Sequence, residues 1–486
     1  MISKDDWTAG VRPLGIPLIG EGIAMLFCLV PALLFSDGTV LQMFVSALLP
    51  IVAGIALLYF LPRRVTDSGS RAAYVTVVMM WVFLALFGSV PFLITGSTRS
   101  LSDAFFESMS GLTSTGATVF ANVERLPSSL LLWRSISEWI GGFGIILLVL
   151  AVVPRLGLNK YSLYTAEVSG ADNTGKTNTS MRKMVQHTLS IYVALTLFFI
   201  VLLCFSGMTL WEAVNLTFTN ISTGGFSIYA DSVARFTPVQ QYILAASMFV
   251  GGINFALLYN ILTLKWRKIR HKLDQMRFYV ALIVVAVAFT VLVLHFHDGY
   301  TFHDALRCGL VQTISVVTTT GSVVADTNMW WTPVLFLFLV LSVCGGMAGS
   351  TTGGVKVMRV LILFRNVRST LTNRLHPQAY NPVRLNGKPV SKDIIANVMV
   401  IFIVYWVTML IGLLLLLMCG VDATEALGAV FGCITSYGPG MGACGGFGSY
   451  AAFPLVAKWI CSVLMLLGRL ECLTVFILFL PGFWRR

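Results

Sequence analysis

The sequence predicts an all-α integral membrane protein in which an N-terminal two-helix hairpin precedes four repeats arranged around a central pore. Three observations predict it. Of 486 residues, 57% are hydrophobic and only 11% charged, against about 25% charged in ordinary soluble domains. Apolar stretches of bilayer-spanning length, about 20 residues, recur almost to the last residue, leaving no room for a sizeable water-soluble domain. Between those stretches a short glycine-centred motif returns four times.

The spans begin near Leu14, Val40, Ala73, Leu130, Val185, Pro238, Phe278, Thr332, Ile395 and Phe453. An even number, ten, puts both termini on one side. Lys4 and Arg12 precede the first run, which is long and has no small-residue cleavage site, so it reads as an uncleaved span. The segments 1–13, 62–72, 154–183, 265–277, 356–392 and 485–486 carry 26 of the 33 Lys and Arg. By the positive-inside rule they are cytoplasmic, as are both termini. Membrane orientation also accounts for the net charge of +12 better than a nucleic-acid partner does, because the basic residues form no patterned face. Acids such as Asp103, Glu212, Asp231, Asp304, Asp422 and Glu425 fall in the outward-facing connections, where they would concentrate cations.

Residues 1–66 form the hairpin. Pore repeats follow at 67–160, 161–270, 271–375 and 376–486. Each repeat has a span, a semi-apolar stretch too short to cross the membrane, a glycine motif and a second span. The short stretches, Asp103 to Thr113, Glu212 to Ile221, Leu306 to Thr318 and Ala423 to Thr435, read as re-entrant pore helices. The motifs that follow are Ser114-Thr115-Gly116, Ser222-Thr223-Gly224, Thr319-Thr320-Gly321 and Ser436-Tyr437-Gly438, their glycines 108, 97 and 117 residues apart. Irregular backbone at membrane depth is tolerated only where it is buried in protein or lines a wet cavity. Four such segments about one axis offer carbonyls to a dehydrated cation, and glycine supplies the positive φ that inward-aimed carbonyls require. Acid-alanine pairs open three of the pore helices at matching offsets, Asp103-Ala104, Glu212-Ala213 and Glu425-Ala426. In the third, Asp304-Ala305 stands further upstream and Cys308 holds the equivalent place.

The second span of each repeat also bears glycine: Gly141-Gly142, Gly251-Gly252, Gly345-Gly346 and Gly468. In the third the run Gly345-Gly346-Met347-Ala348-Gly349-Ser350-Thr351-Thr352-Gly353-Gly354 interrupts the span. Helix propensity fails there by up to about 1 kcal/mol per Gly, so an unwound intramembrane loop, a candidate gate, is expected below the filter. It is not a phosphate-binding loop, since Val355-Lys356 follows and no strand precedes it. Arg469 stands deep within a span and reads as functional, either as an electrostatic barrier or as a hinge in the pore, with its partner on another span. The nine cysteines show no metal-type spacing, His295-Phe296-His297-Asp298 reads as structural, and no catalytic motif appears. The expectation is a protein that is no enzyme and holds no covalently bound cofactor.

Together the four filters, the glycine-rich run ending in Val355-Lys356, the Gly468-Arg469-Leu470-Glu471 motif and the extra hairpin resemble the Trk/Ktr/HKT superfamily of K⁺ transporters over nearly the whole chain. The likeness is closest to its bacterial TrkH/TrkG-type membrane subunits. That resemblance implies K⁺ uptake across a bacterial inner membrane, with K⁺ bound by the twelve motif residues named above. It implies a gate formed by Gly345, Gly346, Gly349, Ser350, Thr351, Thr352, Gly353, Gly354 and Arg469. Glycine at position 116, rather than serine, goes with K⁺ preference in that family, and Tyr437 is bulkier than its filters usually carry. The implied partners are membrane lipid, a second copy of the chain in a homodimer, and a cytosolic TrkA-type subunit through which a nucleotide acts. The segments 265–277 and 356–392 are the surfaces it would dock on. The competing reading is a secondary active symporter, H⁺- or Na⁺-coupled, which predicts two large pseudo-repeats rather than four small ones.

Overall fold

The computed structural model describes residues 11–61, 70–151, 178–263, 273–378 and 381–484. The basic connections expected at 62–72, 154–183 and 265–277 lie largely outside these residues, as do the repeat boundaries at 66, 160 and 270. The N-terminal hairpin consists of Arg12–Leu34 and Val40–Phe60. Four repeats follow, each an outer helix, a short pore helix and an inner helix. The first has Ser70–Gly88 with Val90–Ile94, Leu101–Leu112 and Ser128–Ala151. The second has Asn178–Phe205, Leu210–Ile221, and Pro238–Gly251 with Phe255–Leu262. In the third, Leu273–Phe296 and Phe302–Val317 lead to Thr332–Cys344 and, past a loop, Val357–Leu375. The fourth has Lys392–Met418, Ala423–Ile434, and Leu455–Arg469 with Leu473–Phe476.

The outer helices are continuous because they face lipid. Lys392–Met418 presents Ile403, Leu410 and Leu414 outward at 58–61% exposure while Tyr405, Met409 and Leu416 are buried. Such an apolar exterior is stable only against hydrocarbon. Among the described residues six helices are long and apolar enough to span a membrane, or up to eight if each of two bent pairs counts as one span.

Three inner helices are interrupted, each for a local reason. Pro238–Gly251 turns by 105° into Phe255–Leu262 where Asn254 takes over as N-cap, its side chain accepting from the Leu257 amide at 2.9 Å. Leu455–Arg469 turns by 105° where Glu471 and Cys472 take φ of +59° and +48°. The third is opened by the glycine run. One two-residue β-ladder, Arg384–Leu385 with Lys388–Pro389, departs from the all-α expectation. It is closed by Asn386-Gly387, both at positive φ, the residue pair that a tight hairpin turn favours.

One large apolar cluster, around Tyr192, Phe255, Tyr279 and Val317, joins repeats two and three. A second, around Trp81, Phe106, Tyr405 and Met465, joins repeats one and four. The buried polar residues congregate at the ends of the pore helices, among them Thr113, Thr115, Ser222, Thr223, Thr318, Thr319, Thr320, Thr435 and Ser436.

Candidate filter and gate

Every pore helix ends in the same way. Thr113, Ser222, Thr318 and Thr435 turn their hydroxyls back onto the carbonyl four residues earlier at 2.7, 2.7, 2.7 and 2.8 Å. The next residues, Ser114, Thr223, Thr319 and Ser436, take φ of +50°, +55°, +52° and +55°. The amides after them, of Thr115, Gly224, Thr320 and Tyr437, reach back to the carbonyls of Ser110, Thr219, Ser315 and Gly432 at 2.8–3.0 Å. This closure is the Schellman motif, with Ser or Thr in the left-handed position that glycine ordinarily fills. An L side chain there costs about 1 kcal/mol or more.

The fourth residue of each turn is a glycine at positive φ: Gly116 (+78°), Gly225 (+84°), Gly321 (+84°) and Gly438 (+91°). These four close a ring in chain order. A Cβ on Gly116 would overlap the carbonyl oxygen of Gly224, and one on Gly225 that of Thr320. Likewise Gly321 abuts the carbonyl of Tyr437, and Gly438 that of Thr115. All four glycines also line one cavity of about 70 Å³, with Thr118, Arg134 and Tyr450 on its walls.

The ring corrects the reading of the second motif. The Ser222-Thr223-Gly224 triplet is displaced by one residue: Ser222 is the helix cap equivalent to Thr113, Thr223 is the left-handed residue, Gly224 stands where Thr115, Thr320 and Tyr437 stand, and Gly225 is the ring glycine. A second correction concerns the third pore helix. It runs 16 residues where the others run 12, one turn longer at its outer end. Asp304 is therefore the third residue of its helix, as Asp103, Glu212 and Glu425 are of theirs, and Cys308 displaces nothing.

Beneath the ring lies the glycine run. Thr332–Cys344 ends at Gly345, φ +64°; the chain returns when the Val355 amide reaches the Val343 carbonyl at 2.9 Å and the Val357 amide the Gly346 carbonyl at 3.0 Å. Gly349 and Gly354 also take positive φ, and Ser350, Thr351 and Thr352 are buried. Ser350 and Thr352 share a hydroxyl contact at 2.8 Å, and the Thr352 hydroxyl accepts from the Gly346 amide at 3.1 Å. The excursion touches repeats two, three and four. The Thr351 hydroxyl reaches the Ile221 and Gly251 carbonyls, each at 3.2 Å, and accepts from the Thr223 hydroxyl at 3.2 Å. The Gly353 amide donates to the Thr319 hydroxyl at 2.7 Å, while a Cβ on Gly353 would meet Thr435 and Ser436.

Arg469 completes the closure. Its guanidinium donates to the carbonyls of Thr351 and Gly141 at 3.0 and 2.8 Å and to the Ser114 hydroxyl at 3.3 Å. Its partners on other spans are thus carbonyls and a hydroxyl. Glu471 is committed elsewhere, paired with Arg359 at 2.7 Å just past the end of the loop. The four left-handed residues explain their own side chains: Ser114 meets Arg469, Thr223 meets Thr351, Thr319 meets Gly353, and Ser436 stands against Gly353. Glycine would remove their strain and with it each contact between ring and loop.

The model of the cation transport protein family TrkH matches residues 41–485. This chain belongs to the TrkH family. It is 32% identical over 457 residues to the Trk system potassium uptake protein TrkH of Salmonella typhimurium, covering 93% of this chain and 94% of that one. It is 33% identical over 484 residues to the TrkH of Vibrio parahaemolyticus, covering 98% and 99%. To TrkG of Escherichia coli it is 30% identical over 469 residues, covering 95% and 96%. The crystal structure of the potassium transporter TrkH from Vibrio parahaemolyticus superposes with a TM-score of 0.89 at 30% identity, over 98% of this chain and 99% of that one. The family is one of transport proteins rather than enzymes, and the helical repeats make this a multi-pass membrane protein.

Two further residues brace the ring. Glu107, buried in the first pore helix, accepts from the Val119 amide at 2.9 Å and pairs with Arg134 at 2.8 Å. Gln312, nine residues before Gly321 as Glu107 is before Gly116, accepts from the Val324 amide at 3.1 Å and donates to the Tyr437 hydroxyl at 3.1 Å. Tyr437 is therefore accommodated by a partner in the third repeat. Gly225 and Gln312 escape a search keyed on Ser-Thr-Gly. Aligning instead on the capping hydroxyl three residues before each ring glycine finds Gly225 at once.

Proposed function

We propose that this chain is the membrane subunit of a Trk-type K⁺ uptake system, in which K⁺ crosses a bacterial inner membrane through a selective, gated pore. The observation that carries the reading is the closed ring of four turns, in which the carbonyl before each glycine abuts the ring glycine of the preceding repeat. K⁺ is the cargo, bound by the backbone of Ser114 to Gly116, Thr223 to Gly225, Thr319 to Gly321 and Ser436 to Gly438. Glycine at all four ring positions suits K⁺ in preference to Na⁺.

The gate is the loop containing Gly345, Gly346, Gly349, Ser350, Thr351, Thr352, Gly353 and Gly354, latched by Arg469. Five units follow from the repeat pattern: the hairpin 1–66 and pore repeats at 67–160, 161–270, 271–375 and 376–486. The charge bias of the connections supports cytoplasmic termini. The working assembly is a homodimer bound to a cytosolic nucleotide-binding subunit of TrkA type, which acts on the loop from segment 356–392, where Arg365 already pairs with Asp274 at 2.7 Å.

Rb⁺ tracer uptake into liposomes holding the purified chain, competed with Na⁺, tests this. Uptake driven by the K⁺ gradient and resisting Na⁺ is expected. Uptake that instead follows an imposed H⁺ or Na⁺ gradient would establish the coupled symporter. Absence of uptake both alone and with the regulatory subunit would overturn the pore.

A further inference from the structure

Gly224 is a glycine for a reason other than backbone conformation. Unlike Gly225, it does not take a positive φ. What stands in the way of a side chain is the carboxylate of Glu138, whose Oε2 and Oε1 would lie 2.5 and 2.7 Å from a Cβ built on it. Glu138 comes from the inner helix of the first repeat, three residues before Gly141, and is fully buried. At the positions equivalent to Gly224 the other repeats supply buried side chains of their own, Thr115, Thr320 and Tyr437. Three residues before the corresponding glycines Gly251 and Gly468 stand Met248 and Met465, which carry no charge. One of four equivalent places in the ring is therefore filled by a carboxylate borrowed from a neighbouring repeat.

That carboxylate also holds backbone. The Phe226 amide donates to both of its oxygens, at 3.2 and 3.1 Å. In a planar trans peptide the carbonyl points opposite the N–H, so fixing this amide toward Glu138 aims the Gly225 carbonyl away from it. Arg134, one turn earlier, directs its hydrogen bonds elsewhere. Its Nε is paired with Glu107 at 2.8 Å, its Nη1 donates to the Ser227 carbonyl at 2.8 Å, and its guanidinium lies 4.0 Å over the Phe226 ring. Arg134 is thus paired with Glu107, and among the described residues no ion pair engages Glu138.

We propose that Glu138 is a positioning and selectivity-determining residue of the second filter segment: an anionic strut that replaces the missing side chain of Gly224, holds 224–226 in the ring and adds negative charge to the cation site. The proposal rests on the filter reading above. It is tested by Rb⁺ uptake in liposomes with Na⁺ competition, KM and Vmax measured separately. Glu138→Gln keeps the shape and the acceptor but removes the charge; the KM for Rb⁺ should rise about tenfold, equivalent to about 1.4 kcal/mol, and the preference over Na⁺ should fall. Gly224→Thr alone should abolish uptake. Combined with Glu138→Ala it should restore uptake, because threonine then fills the place as at Thr115 and Thr320, while Na⁺ discrimination stays as weak as in Glu138→Gln.

Unchanged KM and Na⁺ preference in Glu138→Gln overturns the proposal. So does a double variant as inactive as Gly224→Thr when Glu138→Ala alone is active. If Glu138→Gln fails to fold, the double variant decides. Gly116→Ser separates the two levels: altered selectivity there, with none at Glu138→Gln, sinks this inference and leaves the filter standing, whereas no effect of either sinks the filter.

Discussion

The ring and the loop beneath it are both irregular backbone at membrane depth, yet they are held in different ways. Each filter segment closes on its own pore helix, through bonds that reach back no more than six residues. The loop is held by bonds that reach across the chain, from Gly353 to Thr319 over 34 positions, from Arg469 to Thr351 over 118 and from Thr351 to Ile221 over 130. A local closure survives a rigid shift of its neighbours, and a long-range bond does not. On the proposed function, the ring keeps its geometry while the loop loses it. Ser114, Thr223, Thr319 and Ser436 belong to both, their backbones to the ring and their side chains to the loop assembly.

Substitutions in the two regions should therefore move flux in opposite directions. The largest effect is expected in the ring. Gly225→Ala forces a methyl onto the Thr320 carbonyl at φ +84°; uptake should fall by at least about 100-fold, a loss of about 2.7 kcal/mol. Gly225 is the sharper target than Gly224, because it alone of the two occupies the left-handed region. Residual uptake near that of the unmodified chain would remove Gly225 from the ring and return the motif to Ser222-Thr223-Gly224.

The next effect has the opposite sign. Arg469→Gln removes most of a guanidinium that bridges the loop, the first inner helix and the ring. At about 1 kcal/mol for each hydrogen bond lost, uptake by the chain alone should rise by roughly tenfold or more. A fall with normal folding would make Arg469 part of the conduction path instead of the latch. Thr351→Val is the smaller version: nearly the same shape, without the hydroxyl that reaches Ile221, Gly251 and Thr223. Basal flux should rise about fivefold, near 1 kcal/mol, with Na⁺ discrimination intact, since no ring backbone is touched. Lost discrimination would show that the loop also shapes the filter.

The same contrast governs what the residues reveal on their own. Bilayer-length apolar runs, loop charge and four glycine motifs carry the architecture, because each follows from hydration or chirality acting over a short stretch. The loop is legible for that reason too, since five glycines within ten residues cannot continue a helix. In the second repeat Ser222-Thr223-Gly224 imitates the triplet, because the capping hydroxyl and the left-handed hydroxyl are the same residue types; only the backbone separates them. The third pore helix hides its acid behind one added turn. The partners of Arg469 are carbonyls, which every residue possesses, so no side-chain pattern could point to Thr351 or Gly141. The place of Glu138 is hidden likewise, for the residue it touches has no side chain.

The smallest effect lies far from both regions and tests whether the hairpin is tied to the first repeat. Asp37, between the two hairpin helices, accepts from the Ser129 amide at 3.0 Å and from the Thr39 amide and hydroxyl at 3.0 and 2.7 Å. Ser129 is in the first turn of the inner helix, where the aligned dipoles also favour an anion. Burial alone would raise the Asp37 pKa; the bonds from Ser129 and Thr39 outweigh it and hold the carboxyl below its usual value. A depressed pKa means stability that is present above the ordinary carboxylate range and is lost as pH falls through the folded value. Asp37→Asn should lower Tm by about 1 °C at neutral pH, and the two proteins should converge in acid, once the pH has fallen through the lowered native value and the carboxyl is itself protonated. Uptake and Na⁺ discrimination should not change, because neither ring nor loop is touched. A Tm difference that persists undiminished in acid would mean that shape, not charge, joins the hairpin to the pore.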